Sequence, residues 1–252
     1  NKFPHHECEI AQSEAANGVK FVRYWIHNNM VTVDSQKMGK SLNNFITLKQ
    51  AFSGAHERLT RSYDPLAVRQ LILNSHYRSP LDFSDAALFA ALSGYGKIAE
   101  AVKAVRKRAA QAAEGDLDAE VAEQLDQFNG KFEEAMNDDL NTSVALSVVF
   151  ELVRLANTLL PDSGTTAGTL GAIDDLFGKL GGDVLGVVKD DYLETSTADD
   201  AIMDKLVNVL IEQRKEARKN KYFAKADELR NKLDEMGIVL EDTPEKTTWR
   251  MK

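Results

Sequence analysis

The sequence predicts a mostly α-helical protein, and three observations carry that prediction. From Asp85 onward the chain is a succession of long, alanine-rich segments with apolar residues at helical spacing. Thr47, Asp64 and Ser84 stand where helix-capping residues belong, each just ahead of an apolar-periodic run. Extended structure is confined to short β-branched runs, chiefly Val31–Val33 and Ile238–Leu240.

Taken in order, Phe3 to Ala16 reads as a helix beginning near Pro4, since proline is tolerated in a first turn, and Gly18 can end it. Val19 to His27 is aromatic and β-branched enough for a strand or short buried element. Asn28-Asn29 then turns the chain into Met30–Val33, a hairpin-like approach to the next loop. Thr47-Leu-Lys-Gln50 fits a capping box, and Asp64-Pro65 starts a helix with Leu66, Val68, Leu71 and Ile72 as its apolar stripe. His76 to Phe83 reads as an irregular connector broken by Pro80.

Four helices are expected over about 85–113, 118–137, 141–160 and 166–181, forming a bundle. The third is central, because Val144, Leu146, Val148, Val149, Leu152, Val153, Leu155 and Leu159 wrap more than one face. Gly181-Gly182 and the acidic stretch from Lys189 to Asp200 read as a linker. The last unit opens with a helix from Ala201 to about Asn220, with Ile202, Leu206, Val209, Leu210 and Gln213 on its stripe. A second helix follows to Met236 and stops at Gly237, before two short strands around Pro244.

With 43% hydrophobic and 28% charged residues among 252, composition is that of an ordinary globular protein, and no uninterrupted apolar run reaches the roughly 20 residues of a membrane span. A single cysteine, Cys8, rules out an internal disulfide and fits a reducing compartment such as the cytoplasm. Net charge is −8, which argues against indiscriminate nucleic-acid binding, but its distribution is uneven. Residues 85–198 carry 9 basic and 20 acidic side chains, whereas Lys205 to Lys232 carries nine basic against four acidic. That excess can face phosphates, or belong to a solvated helix laced with i,i+4 pairs.

Two stretches suggest chemistry. In Lys37-Met-Gly-Lys-Ser41 two lysines flank Gly39, where the lack of a Cβ lets backbone approach a polyanion, and compact ammonium groups suit a triphosphate. The same five residues can equally be a solvated turn. His5 and Glu9, at i,i+4 on one helix face, offer an imidazole nitrogen and a carboxylate oxygen, half of a four-coordinate zinc site. Cys8, at i+3 from His5, is a rival ligand, and ordinary polar residues of a first turn are the other reading. His27 reads as a hydrogen-bonded structural histidine.

Set in sequence, these pieces closely resemble the cysteinyl-tRNA synthetase family of class I aminoacyl-tRNA synthetases. The resemblance rests on Phe3-Pro-His-His-Glu-Cys-Glu-Ile-Ala-Gln-Ser-Glu14, Tyr24-Trp-Ile-His27 with Met30-Val31, and Lys37-Met-Gly-Lys-Ser41. It continues through His76-Tyr-Arg-Ser-Pro-Leu-Asp-Phe-Ser84, Asn137-Asp-Asp-Leu-Asn-Thr142 and Met236-Gly-Ile-Val-Leu-Glu-Asp-Thr-Pro244 to Thr247-Thr-Trp-Arg250. It implies the carboxyl-terminal part of such an enzyme: residues 1–33 ending a Rossmann-type catalytic domain with half a zinc site, and 34–84 a lysine loop with stem-contact helices. Residues 85–198 would be a helical tRNA-binding bundle, and 199–252 a small α+β anticodon-reading unit. The nucleotide-binding core, with its His-x-Gly-His signature and two cysteine zinc ligands, has no counterpart in this stretch, which alone should be inactive.

The resemblance further implies ATP-dependent activation of cysteine and its transfer to the 3′ end of tRNA(Cys), by a monomer with no membrane partner. His5 and Glu9 would complete a Zn2+ site for the substrate thiolate, a softer ligand than a serine hydroxyl, and Cys8 would stand by as a non-ligand. Lys40, assisted by Lys37 and together with Gly39 and Ser41, would bind ATP, handled with Mg2+, and steady the developing pyrophosphate charge. Gly39 stands where the family usually has serine, a change expected to loosen the loop. Arg218, Phe223, Asp227 and Asp242 match tRNA-contacting positions: arginine reads guanine, carboxylates accept from exocyclic amines, and aromatics stack bases. Phe223 can alternatively pack in a core. A non-catalytic tRNA-binding module is the second reading. A ligase joining cysteine to a small amine is disfavoured, because it would not need the tRNA-reading tail.

Overall fold

A computed structural model describes residues 2–190, 198–219, 222–235, 237–242 and 247–251. The chain is mostly helical and divides into two compact units, residues 1–190 and 191–252.

In the first unit an irregular turn over Lys2–His6 leads into α1 (Glu7–Asn17), which Gly18 ends in the left-handed region at φ 67°, its N–H reaching the Glu14 carbonyl at 2.8 Å. Residues 19–30 form no regular element, contrary to the strand or short buried element expected for Val19–His27, of which only Val22 and His27 are half-buried. Their backbone is instead secured by side chains and by the far end of residues 76–83: Asn29 N–H donates to the Tyr77 carbonyl and its side chain to that of Arg78, at 2.8 and 2.7 Å.

The chain then enters β1 (Val31–Val33), turns at Asp34-Ser35 and returns as β2 (Gln36–Lys37), with Thr32 opposite Lys37 and Val33 opposite Gln36. Both turn residues have positive φ, 50° and 63°, the backbone of a tight primed hairpin. A third strand, β3 (Leu81–Asp82), lies parallel to β1 on its other side, so the segment expected as a plain connector completes the sheet in the order β2-β1-β3. Two strand residues beside Pro80 carry no periodicity from which this pairing could be read.

Between hairpin and β3 lie α2 (Leu48–Ser53) and α3 (Pro65–Leu73). Thr47 and Gln50 make the expected capping box, and Asp64 caps α3 through the Leu66 N–H at 2.7 Å. Val33, Ile46, Ala51, Leu59, Tyr63, Val68, Leu71, Phe83 and Leu88 form one core beneath the hairpin. Tyr63 is 1% exposed and donates to the Asp85 carboxylate at 2.5 Å, which also accepts from the backbone N–H and hydroxyl of Thr60. Burial and then the Asp85 carboxylate push the Tyr63 phenol up to about 12. Burial alone would raise Asp85, but the hydrogen bonds from Tyr63 and Thr60 outweigh it and hold that carboxyl below the ordinary aspartate value.

The bundle comprises α4 (Asp85–Ala109), α5 (Ala119–Asn137), α6 (Thr142–Leu159) and α7 (Ala167–Leu176), the last running on as a wider turn to Val184. By length and hydropathy α6 would pass for a membrane span, yet Leu146, Val149, Leu152 and Val153 are buried against α4 and α5. Val144 is exposed, so the central helix uses fewer of its apolar residues than the sequence suggested. Gly181-Gly182 is no linker: a Cβ on buried Gly181 would lie 2.5 Å from the Val188 side chain, because residues 185–188 fold back over that turn. Arg69 on α3 donates to the Leu185 carbonyl, fastening this end of the bundle to the first helices.

The second unit contains α8 (Ala198–Lys219), α9 (Phe223–Glu235) and the antiparallel pair β4 (Ile238–Asp242) and β5 (Thr247–Met251), with Leu240 opposite Trp249. Its core is Val207, Leu233, Ile238 and Leu240, with Leu210, Ile211 and Trp249 packed alongside. The buried stripe of α8 therefore runs through Val207, Leu210, Ile211, Arg214 and Ala217, whereas Leu206, Val209 and Gln213, expected inside, are exposed. The side chain of Ile202 lies outside the described residues, as do residues 191–197 of the expected linker and the turn around Pro244.

Candidate active-site loop and nucleic-acid interface

The lysine loop is built by alternation. Lys37 ends β2 with its side chain outward, Met38 turns in to pack on the core below the hairpin, and Lys40 opens a short 3-10 turn (Lys40–Leu42) with its side chain outward again. The Met38 N–H donates to the Val31 carbonyl at 3.1 Å, so the hairpin ladder reaches the loop itself. The Lys40 ammonium rests 5.7 Å from the centre of the Phe45 ring, a cation–π contact on a half-open surface. Two cations thus project from a backbone whose intervening side chain is anchored, an arrangement suited to a polyanionic ligand.

Glycine is not demanded at position 39. Its φ of −166° is extended backbone that any residue adopts, and a Cβ there would meet only Ser41 Oγ at 3.9 Å and Leu42 Cδ1 at 4.0 Å. Nor does the absent side chain leave the loop loose: the Gly39 N–H donates to Asn44 Oδ1 at 2.8 Å, and Asn44 Nδ2 donates to the Lys37 carbonyl at 3.0 Å. Ser41 is exposed in the turn. Asn44 itself is 1% exposed, a buried polar residue that charge patterning had no means of revealing.

On the other side of the hairpin, Asp82 of β3 accepts from the Ser35 N–H and the Thr32 hydroxyl, each at 2.8 Å. Burial would raise this carboxyl, but those bonds and one from Ser84 prevail and keep it below the usual aspartate value. Arg58 pairs with Asp34 at the hairpin tip at 3.1 Å. Between hairpin and bundle, Asp139 accepts from the Tyr77 hydroxyl at 2.6 Å and pairs with Arg78 at 2.7 Å. The Tyr77 hydrogen bond first, and then the Arg78 charge, lower its carboxyl. Two stretches that carried the resemblance, 76–84 and 137–142, therefore meet.

His5 lies in the irregular N-terminal turn and Glu9 in the first turn of α1; both are exposed, as is Cys8. Among the described residues no group of three or more histidine, cysteine or acidic side chains is placed to hold a metal ion. The nitrogen and oxygen donors of His5 and Glu9 suit zinc in kind but supply two ligands, so they fit as part of a site completed from elsewhere. The neighbouring residue does more within this chain. His6 Nδ1 lies 2.9 Å from His27 Nε2, and the rings of His6, Trp25 and His27 stack at centroid separations of 4.9–5.9 Å. This stack, pairing residues 21 apart, went unread in the sequence because helix spacing says nothing of an irregular ribbon. Trp25, His27, Tyr77 and Arg78 border an open cleft of about 450 Å³, in the size range of small-molecule sites.

In the second unit Arg218 is exposed in the last turn of α8, and Phe223 and Asp227 are exposed on α9. Phe223 is 60% and its neighbour Tyr222 65% exposed, which argues against the core-packing alternative for Phe223. Asp242 closes β4, and its side chain lies outside the described residues.

Comparison with known proteins gives a consistent pattern. Residues 1–93 match the family model for the catalytic domain of class I (C) tRNA synthetases, residues 131–189 match the DALR domain, and residues 202–250 match the cysteinyl-tRNA ligase anticodon binding domain. The chain is 47% identical to the cysteine–tRNA ligase of Chlorobaculum tepidum, over all of this chain and 49% of that protein. It is 41% identical to that of Bacteroides fragilis and 42% identical to that of a Geobacter species, over 99% of this chain and 49% and 52% of those proteins. The chain spans about half the length of the curated relatives it matches. Among solved structures, the ternary complex of Agrobacterium radiobacter K84 agnB2 LeuRS with tRNA and LeuAMS aligns over 64% of this chain and 23% of that one, with 20% identity and a TM-score of 0.41.

Proposed function

This chain belongs to the cysteine–tRNA ligase family of class I synthetases, and from that premise we propose that it supplies the lysine loop and the tRNA-reading parts of a cytoplasmic, monomeric cysteine–tRNA ligase. The reaction has two steps. ATP and cysteine give cysteinyl-adenylate and pyrophosphate, and the cysteinyl group then passes to a terminal ribose hydroxyl at the 3′ end of tRNA(Cys), with AMP as the leaving group. The observation that carries the reading is the pair of outward lysines on an anchored loop, inside the stretch that matches a synthetase catalytic domain.

As the cysteine carboxylate attacks the α-phosphorus, negative charge grows on the departing pyrophosphate. Lys40, released from Phe45, meets that charge, and Lys37 holds the outer phosphates, with Mg2+ accompanying ATP; Ser41 and Gly39 shape the turn between them. His5 and Glu9 would hold a zinc ion, which when bound prefers the substrate thiolate to a serine hydroxyl. Replacing His5 by alanine in the full-length protein is therefore expected to lower zinc content well below one per chain, read by metal analysis of the purified protein. Full occupancy in that variant would remove His5 from the ligand set.

In the second unit, Arg218 offers guanine a bidentate partner, Phe223 a stacking face, and Asp227 and Asp242 acceptors for exocyclic amines. Arg218→Ala is expected to weaken tRNA(Cys) binding by about 10- to 100-fold while leaving the thermal midpoint within a degree or two, since a base contact is worth about 1–3 kcal/mol. Unchanged affinity by filter binding would refute the assignment.

A further inference from the structure

We propose that Asn44 is a positioning residue for adenylate formation: its single carboxamide, holding the Gly39 N–H and the Lys37 carbonyl together, fixes the spacing and aim of Lys37 and Lys40. The proposal rests on the reading of those lysines as phosphate-binding.

The geometry is economical. Gly39 N–H to Asn44 Oδ1 is 2.8 Å, and Asn44 Nδ2 to the Lys37 carbonyl is 3.0 Å. Lys37 and Gly39 lie on either side of Met38, whose side chain packs on the core. Backbone on both sides of Met38 is therefore tied to one rigid, planar group, in addition to the holds that the Met38 side chain and N–H already provide. What remains mobile are the two lysine side chains, both exposed.

Only a carboxamide can do this. It presents a donor and an acceptor in one plane, whereas aspartate offers acceptors alone and leucine neither. Asn44 is 1% exposed, and burying such a group is costly unless both ends are bonded. Asn44 also directly follows Asn43, whose left-handed backbone, φ 49°, ends the 3-10 turn and turns the chain back under the loop. The chain thus brings a polar side chain inward where an apolar one would have packed more cheaply, and its hydrogen bonds go to the loop that bears the lysines.

The test is a double-mutant cycle in the full-length protein, with cysteine-dependent ATP–pyrophosphate exchange as the assay. Asn44→Ala is expected to lower the exchange kcat about 10- to 100-fold, the cost of misplacing a charge-stabilising group by about an ångström, with KM for cysteine within about twofold. Asn44→Ser, small and uncharged with a hydroxyl that can still serve one of the two loop groups, is expected to lose less and guards against a variant that fails to fold. In a Lys40→Ala background the Asn44→Ala effect on kcat should shrink severalfold, because only Lys37 is then left for Asn44 to position. Amide exchange at Gly39 should accelerate about tenfold or more in Asn44→Ala, a readout independent of turnover. The proposal is overturned by parent-like exchange kcat in both Asn44 variants, by an undiminished Asn44 effect without Lys40, or by unchanged Gly39 protection. Parent-like kcat in Lys40→Ala alone would instead sink the phosphate assignment of the loop, which is a separate failure.

Discussion

Lys40→Ala in the full-length protein is expected to slow cysteinyl-adenylate formation by about two to three orders of magnitude, the usual cost of deleting one group aimed at developing charge. The ammonium sits on a side chain free to move, 5.7 Å from the Phe45 ring, while the backbone beneath it is secured through Met38 and Asn44. Removing the charge should therefore leave the loop in place and lose only what the charge does in the transition state. The measurement is a single-turnover burst with labelled ATP and no tRNA; a burst of normal rate would exclude Lys40 from the first step. Lys37→Ala should show a smaller fall, weighted towards KM for ATP, because a contact made equally to bound ATP and to the transition state supplies uniform binding.

Gly54→Ala is expected to destabilise the fold by about 3 kcal/mol, combining a left-handed backbone with crowding. Gly54 ends α2 at φ 71°, and a Cβ there would lie 2.8 Å from the carbonyl carbon of Arg61 and the nitrogen of Ser62, backbone atoms that cannot swing aside. Gly54→Asn separates the two contributions, because asparagine tolerates the left-handed region but still carries the colliding Cβ. Urea unfolding should therefore place Asn between glycine and alanine, nearer alanine. An alanine variant within about 0.5 kcal/mol of the parent would show that the Arg61-Ser62 backbone yields at little cost.

What the sequence disclosed and what it withheld divide along physical lines. Helix starts at Thr47, Asp64 and Ser84 were legible because a cap is a local bargain between one side chain and the N–H groups just beyond it. The β1–β3 pairing was not, since it joins residues about fifty apart through a strand of two residues. The register of α8 was missed because Leu206 and Val209 fit a helical stripe as well as Val207 and Leu210 do. What separates them is tertiary packing: Val207, Leu210 and Ile211 meet Leu233, Ile238, Leu240 and Trp249, and the same face carries Arg214, a charged residue 4% exposed where sequence patterning assigns a surface. Gly181-Gly182 read as a linker because glycine signals both slack and close contact, and only the packing of Val188 on Gly181 tells them apart. Asn44 and the His6–His27 stack share a further reason: each works through a partner that no short-range pattern pairs with it.

The two-residue strand β3 carries a consequence for how this region reaches its native state. Leu81 and Phe83 point into the core while Asp82, between them, points at the hairpin. Strand side chains alternate, so a slip of one residue during folding would drive a carboxylate into the apolar interior and leave the Asp34-Ser35 turn without its acceptor. The penalty falls at once on burial and on the strained turn, so a misaligned intermediate should reopen rather than persist. Three consecutive side chains thus act as a proofreading device for strand alignment, and chains that emerge from folding with the sheet closed should carry the hairpin in one geometry.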